Sequence, residues 1–368
     1  MSIDLQPPDT TQAPKKRKKG LSVIYESPVV LRLLPYALLV AGVILVPVLI
    51  FQPTAQGGNY QLAVLIYVGI NTILVVGLNL LMGYAGQVSL GHAAFYGIGA
   101  YVSAILTTNY GISPWYAIFA GVLVACAIAY LLGVRALRLH GYYLAMATLG
   151  FGIIVSIVFL EWDTVTGGTS GIYGIPNLEI AGKPLDNEIS MYYLVWALVV
   201  IVIALSANIV NSRVGRAFRA VHGSEIAATT LGVNTARYKL QVFVLSAALA
   251  SVAGSLYAHY VTFISPEPFG FKFSIELVVM VVVGGLASVW GAIFGAATIT
   301  ILHEYLRGLG HLDVSGVAVS LADFDIVIFG FILMVIMIYM PSGLVRGTVD
   351  SVKAAISIAR RKQEKTDD

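Results

Sequence analysis

Charge is what this sequence has least of. Asp, Glu, Lys and Arg together make up 11% of its 368 residues, less than half of the about 25% found in ordinary soluble domains. The shortage is also local: from Leu33 to Val134 none of the four occurs. No water-soluble domain of that length can keep its surface solvated, whereas a bilayer asks for about 20 apolar residues per spanning helix. Other absences narrow the function. The one cysteine, Cys126, lies in an apolar stretch, which excludes an intrachain disulfide and reads as a small core residue. No P-loop of the form GxxxxGK[ST] occurs, so the chain carries no nucleotide-binding domain of that type. No nucleophile–base pair, metal-ligand cluster or acidic dyad stands at the predicted span ends, which argues against an enzyme and against a cofactor or metal bound by this chain. No Asp, Glu, Lys or Arg falls near the middle of a predicted span, where ion-coupled carriers place their relays. Residues 1–30 are not a secretory signal, because the first apolar run begins late, is long, and has no small-residue cleavage pattern after it.

What is present is apolar sequence, 58% of the chain. Its pattern predicts an all-α polytopic membrane protein of about ten transmembrane helices, with Gly-rich broken or re-entrant segments. The predicted spans are 31–51, 60–82, 89–108, 114–134, 141–160, 190–210, 239–261, 272–289, 291–307 and 322–340. With the N-terminus inside, this alternation puts 19 of the 22 Lys and Arg residues in the cytoplasm and leaves Lys183, Lys272 and Arg307 outside, as the positive-inside rule requires. Both termini are then cytoplasmic. A basic tail over 1–30 and a polar tail over 346–368 flank a transmembrane domain over 31–345. The run Lys15-Lys16-Arg17-Lys18-Lys19 has the composition of a nucleic-acid patch, but its place before the first span reads as a topogenic signal with no nucleic-acid partner. Trp115, Tyr116, Trp162 and Trp196 sit where an interfacial belt is expected. His259 and His303, near outer span ends, are expected at the interface too, and Asn71 and Asn79 are expected to bind neighbouring helices.

Two segments carry chemistry. The inner loop at 211–240 contains Gly223 and Ser224 before a run that ends at Gly232. Ser224 is a favoured N-cap, Glu225 complements the positive helix N-terminus, and Gly232 suits a left-handed C′ position. A two-turn helix over Glu225–Leu231 follows, too short to persist alone in water. Its face of Ile226, Ala227, Thr230 and Leu231 calls for a partner, either the membrane surface or another protein. The second segment, GYAGQVSLGHAAFYGIG over 83–99, holds glycines that permit close helix approach or a helix break. Broken helices in a bilayer occur against protein or a water-filled cavity, where the freed backbone groups bind polar solutes. Gly86, Gln87, Ser89, Gly91 and His92 are therefore candidates for a solute path, with Gly284 and Gly285 of a second Gly-rich turn as the counterpart. The alternatives are helix packing for the glycines and a plain interhelical hydrogen bond for His92. A zwitterionic solute on such a path is held by helix-end dipoles and backbone groups at no cost in buried charge.

These residues also carry a resemblance. Glu225, Ala227, Ala228 and Gly232 resemble the "EAA…G" loop of bacterial ABC-importer permeases, with Ile226 inserted between the Glu and the Ala pair. Further stretches resemble the LivM-like permease subunits of the branched-chain amino-acid ABC transporter family across about 35–345: GLNLLMGYAGQVSLGHAAFYGIGAYVSAIL (77–106), RLHGYYLAMATLGFG (138–152), GGTSGI (167–172), VVVGGLASVWGAIFGA (281–296) and YMPSGL (339–344). The resemblance implies a multi-pass subunit of the bacterial inner membrane. In it, Ser224, Glu225, Ile226, Ala227, Ala228, Leu231 and Gly232 form a coupling helix that docks in a groove of an ATPase subunit. It further implies a second homologous permease, two ATP-binding-cassette subunits that use ATP and Mg, and an extracytoplasmic substrate-binding protein. The implied cargo is leucine-like amino acids, with urea or small aromatic acids as the alternative. A self-sufficient carrier or channel is the reading from a different class.

Overall fold

The computed structural model describes residues 36–45, 47, 57–137, 141–180, 182–308, 311–314 and 317–320, with isolated positions from 327 to 338. The chain divides at residue 46 into two units, of which the first, among the described residues, holds the apolar helix α1 (Tyr36–Leu45). The second unit holds α2 (Gly57–Asn79), α3 (His92–Tyr110), α4 (Pro114–Ala136), α5 (Tyr142–Glu161), α6 (Glu188–Asn211), α7 (Arg213–Gly223), α8 (Glu225–Thr230), α9 (Thr235–Val261), α10 (Phe271–Gly284) and α11 (Val289–Gly308). Among the described residues six helices are long and apolar enough to cross a membrane: α2 with its C-terminal extension, α4, α5, α6, α9 and α11. Of the expected first span residues 36–45 and 47 are described, whereas most of the last span and both tails fall outside the described residues.

Small residues decide how closely these helices approach. In α4 the buried face is Ala117, Gly121, Ala125, Ala129 and Gly133, spaced every four residues, which is one stripe of an α-helix. The opposite face shows Phe119, Leu123, Tyr130 and Leu131. With no hydrophobic force between helices in lipid, such a small-residue stripe is what permits backbone-to-backbone packing. The stripe faces α3 and α9. At the α3–α9 crossing a Cβ on Gly254 would run into the Tyr96 carbonyl, and one on Gly99 into the Ser251 backbone. Ser255 Oγ donates to the Gly99 carbonyl at 3.0 Å, and Ser246 Oγ to the Gly77 carbonyl at 2.8 Å. Helix α9 is therefore central, packed on α2, α3 and α4. The most apolar window of α2 is 78% buried, against 28% in α4 and 22% in α5, so α4 and α5 form an outer flank.

Several expectations change. His259 is not interfacial: it is 1% exposed, its Nδ1 donates to the Pro176 carbonyl at 2.7 Å, and its Nε2 lies 2.8 Å from the Ser103 hydroxyl. A carbonyl only accepts, so Nδ1 carries a proton. This bond ties the 161–189 loop to α9, beside the short antiparallel pair that sets Ile172 opposite Ile264 and Tyr173 opposite Phe263. Trp196 is not in a belt either; it is buried and donates to the Leu65 carbonyl at 3.2 Å, fastening α6 to α2. The 211–240 loop is more ordered than expected. Its first part forms α7, with Ser212 as N-cap over Val214 N and with Ala217, Phe218 and Val221 buried. Finally, α10 stops at Gly284 instead of running to 289, so Glu276 stands mid-helix rather than near a span end. Its 14 residues rise about 21 Å, short of a hydrocarbon core of about 30 Å.

The Gly254 crossing generates a direct test. Gly254→Leu separates α9 from α3 and is expected to abolish monodisperse, detergent-stable protein, whereas Gly150→Leu, with open space at its Cβ, is expected to shift stability by no more than about 0.5 kcal/mol. Size-exclusion profiles and thermal midpoints of the two variants, side by side, check this.

Candidate functional site

Two helix breaks face each other inside the second unit. In the first, α2 passes at Asn79 into a π-turn over Leu80–Tyr84 and then leaves the helix until α3 starts at His92. The wide turn is closed by Gln87 N donating to the Leu81 carbonyl at 3.0 Å, and Gly86 takes φ +68, a left-handed value that glycine adopts without strain. Backbone donors freed by the break are met by side chains of other helices. Leu90 N reaches Thr148 Oγ1 on α5 at 3.1 Å, and Ala93 N reaches Ser274 Oγ on α10 at 3.2 Å. Gly91 sits so close to the Thr148 carbonyl that no Cβ fits.

The second break lies between α10 and α11, where Gly285 has φ +104 and Ala287 φ +55. Asn79 holds it. Its Nδ2 donates to the Ser288 carbonyl at 2.7 Å and to the Gly285 carbonyl at 3.4 Å, while its Oδ1 accepts from Ala287 N at 2.9 Å. A Cβ on Gly83 would collide with this clasp, and Gly284 and Gly291 similarly exclude a Cβ where α10 and α11 meet. Asn79 and Asn71 thus both join helices, Asn71 through Thr300 Oγ1 at 2.9 Å.

Of the expected path residues Gln87, Ser89 and His92 are buried, at 3%, 1% and 1% exposed, whereas Gly86 is exposed. Both side-chain polar atoms of Gln87, Ser89 Oγ and His92 Nδ1 have no hydrogen-bond partner among the described residues. Only a long approach, 3.5 Å, links His92 Nε2 to Ser246 Oγ on α9. Buried polar atoms are nearly always satisfied in native proteins, so three such residues on one broken segment offer donors and acceptors to water or to a polar solute. Gly86 and Gly91 shape the same segment, and Gly284 and Gly285 stand across the clasp.

In the 211–240 loop, α8 forms where the local chemistry predicts it. Ser224 Oγ accepts from Ala227 N at 3.2 Å, Leu231 closes the last turn, and Gly232 has φ +80. Ala228 is buried, whereas Ile226 and Leu231 are 81% and 82% exposed. Glu225 does more than complement a dipole: its Oε2 meets Lys239 Nζ at 2.6 Å, and Lys239 itself is 6% exposed on α9. His222 is the penultimate residue of α7, three before α8 begins, and its Nδ1 donates to the Gly83 carbonyl at 3.0 Å. The imidazole lies against Gly86, where an added Cβ would come within 3.1 Å of it. The exposed helix is therefore bolted to the central helix through Glu225 and to the first break through His222. Sequence reading missed both His222 and Lys239. Their signal was weak, a His and a Lys flanking a capped turn, because each partner is distant or a backbone group.

Comparison with known proteins follows the same lines. Residues 60–340 match the family described as "Branched-chain amino acid transport system / permease component". The chain is 33% identical over 314 residues to the high-affinity branched-chain amino acid transport system permease protein LivM of Escherichia coli K12, covering 79% of this chain and 71% of that one. It is 27% identical over 291 residues to the corresponding LivH protein of Salmonella typhimurium, covering 74% of this chain and 90% of that one. A shorter match, 28% over 197 residues, covers 50% of this chain and 56% of the autoinducer 2 import system permease protein LsrC of Escherichia coli O9:H4. No solved structure matches the chain. A multi-pass helical protein with paired breaks, matched over most of its length, belongs to the family of branched-chain amino acid transport system permease components.

Proposed function

We propose that this chain is the membrane subunit of an ATP-binding-cassette importer that carries amino acids, branched-chain ones foremost, into the cytoplasm by alternating access. The observation that carries the reading is the bolted α8. A six-residue helix that exposes Ile226 and Leu231 yet is anchored by Glu225–Lys239 and His222–Gly83 is built to receive force from a partner and to pass it inward. The partner is an ATPase subunit that takes Ile226, Ala227 and Leu231 into a groove, with ATP and Mg held by that subunit. Movement of α8 turns α7, His222 pulls on the π-turn, and the Asn79 clasp carries the displacement to the break at Gly285–Ser288. Gln87, Ser89 and His92 then gain or lose a solute, which supplies what their buried polar atoms lack.

Support for the rest of the assembly comes from the relatives LivM and LivH, each named as a permease protein of a high-affinity branched-chain amino acid transport system. By that likeness the chain works with a second permease, two ATPase subunits and an extracytoplasmic binding protein, in a bacterial inner membrane with both termini inside. About ten spans then cross the bilayer, α3 and α10 among them as the segments that begin or end at a break.

Two outcomes are expected. Ile226→Asp with Leu231→Asp places charge on side chains that touch solvent, so the chain inserts in normal yield, but ATPase subunits no longer copurify and ATP-driven leucine uptake falls at least about tenfold, the loss expected when a few apolar anchors of an interface are removed. His222→Ala leaves copurification intact and removes the link to Gly83, so ATP hydrolysis persists while uptake per ATP falls. Assays of hydrolysis and uptake on the same proteoliposomes read both.

A further inference from the structure

The two helices of the outer flank, α4 and α5, scarcely touch each other. Helix α4 is drawn onto α3 and α9 by its small-residue stripe, and Leu240 of α9 packs where Gly133 leaves room for it. Helix α5 is held elsewhere: Thr148 takes Leu90 N, and Gly152 meets the Gly91 backbone. A furrow of about 550 Å3 is left between the two helices, within the ~300–1,000 Å3 of ligand sites. Its α4 wall is Ile128, Leu131, Leu132, Arg135 and Ala136. That spacing, i, i+3, i+4, i+7 and i+8, is one helix face, about 12 Å long at 1.5 Å per residue. Phe151 is the α5 wall. Phe95 backs it at 5.1 Å between ring centres and itself stands against Phe243 at 5.6 Å, so the wall is fixed from behind.

Both helices are long and apolar enough to cross a membrane, and an empty furrow in hydrocarbon forfeits dispersion contacts along its whole lining. Another helix would approach closely through small residues. Helix α4 has turned its Ala and Gly stripe inward, and beside the furrow it shows Tyr130 and Leu131, 54% and 62% exposed, while α5 shows Ile153, Ile154 and Ile157. Bulky side chains of this kind suit a flexible acyl chain that moulds itself around them. Charge names the head of that chain. Arg135 stands at the furrow's end, in the last turn of α4; it is exposed, and its guanidinium has no hydrogen bond or ion pair among the described residues. Tyr142 and Tyr143, 69% and 71% exposed, begin α5. They lie at the same end of the bilayer as Arg135, because the five residues 137–141 are too few to recross a core of about 30 Å. Exposed tyrosines at span ends mark the headgroup level.

We propose that the α4–α5 furrow binds one anionic phospholipid. Arg135 pairs with the phosphate, one acyl chain runs along Leu132, Leu131 and Ile128 against Phe151, and the two tyrosines stand at the level of the head. Basic side chains between membrane helices hold anionic headgroups in this way. A zwitterionic phospholipid offers the same chain but brings an ammonium beside the guanidinium, so net charge decides between the two. The site adjoins the moving parts. Gly133, two residues from Arg135, packs on Leu240, and the neighbouring Lys239 holds Glu225 of α8. The bound lipid braces the helix on which that anchor leans. The proposal needs only the membrane location of the chain and is independent of its cargo.

Native mass spectrometry of the full chain, alone and assembled with its partner subunits, tests the site. Delipidated protein is titrated with phosphatidylglycerol or phosphatidylethanolamine of identical acyl chains. The first phosphatidylglycerol is expected to bind about fivefold more tightly, the ratio produced by the roughly 1 kcal/mol that one basic side chain contributes near a membrane surface. Arg135→Gln is expected to erase the ratio by weakening phosphatidylglycerol alone, and Arg135→Lys to keep it. Ile128→Trp fills the furrow and is expected to weaken both lipids, whereas Leu123→Trp, exposed and outside the furrow, is expected to leave both unchanged. Glycerol phosphate, a head without chains, is expected not to compete. Equal binding of the two lipids, a ratio that survives Arg135→Gln, or competition by glycerol phosphate at equal concentration overturns the site. A ratio seen in the chain alone but lost on assembly gives the furrow to a neighbouring subunit and overturns it as well.

Discussion

A helix that breaks inside a bilayer frees backbone N–H and C=O groups where no water can meet them, at a cost of several kcal/mol for each one left unpaired. The structure answers that constraint at two places with very few side chains. Asn79 alone meets a donor and two carbonyls of the Gly285–Ser288 turn, and Thr148 and Ser274 meet the donors of the first break. Because Asn79 is itself the last residue before the π-turn, the two breaks share one clasp. Neither can change its geometry without disturbing the other.

Everything around the clasp is arranged so that backbone can come close to backbone. Glycines at 83, 91, 99, 254 and 284 stand where a Cβ meets a neighbouring main chain, and serines 246 and 255 add hydrogen bonds across the same crossings. Helix α9 carries most of these contacts on its length and the buried Lys239 near its N-terminal end. A load applied to Glu225 is thus applied to the central helix, and a load on His222 is applied to the break. Packed helices slide or switch between discrete arrangements rather than deform smoothly, so a push of a few ångströms at α8 has a route to the polar atoms of Gln87, Ser89 and His92.

How much of this was legible in sequence depends on distance along the chain. The small α8 helix was readable because its determinants are local: Ser224 caps it, Gly232 ends it, and both stand within a few residues. Spans such as 190–210 and 141–160 were readable because an uninterrupted apolar run admits little else, and α6 and α5 fall on them within two residues at each end. The break at Gly285–Ser288 was placed in a Gly-rich turn, but the preceding helix was extended to 289. Its actual stop depends on Asn79, 208 residues earlier, and nothing in Leu286 or Ala287 announces it. That error hid Glu276, which looked terminal and is central. His222 was unreadable for the same reason, its acceptor being a carbonyl 139 residues away. Helix α7 was within reach, since Ser212 caps it and Val214, Phe218 and Val221 recur on one face, but the Arg residues between them made the segment look like a plain basic loop.

The central claim is that this chain moves its cargo only when another subunit's ATP cycle drives α8. Leucine uptake into liposomes, compared between the purified chain alone and the full assembly with ATP supplied on the α8 side, tests it most directly. The account requires no accumulation by the chain alone and ATP-dependent accumulation by the assembly. Sustained accumulation by the chain alone, with no nucleotide present, contradicts it.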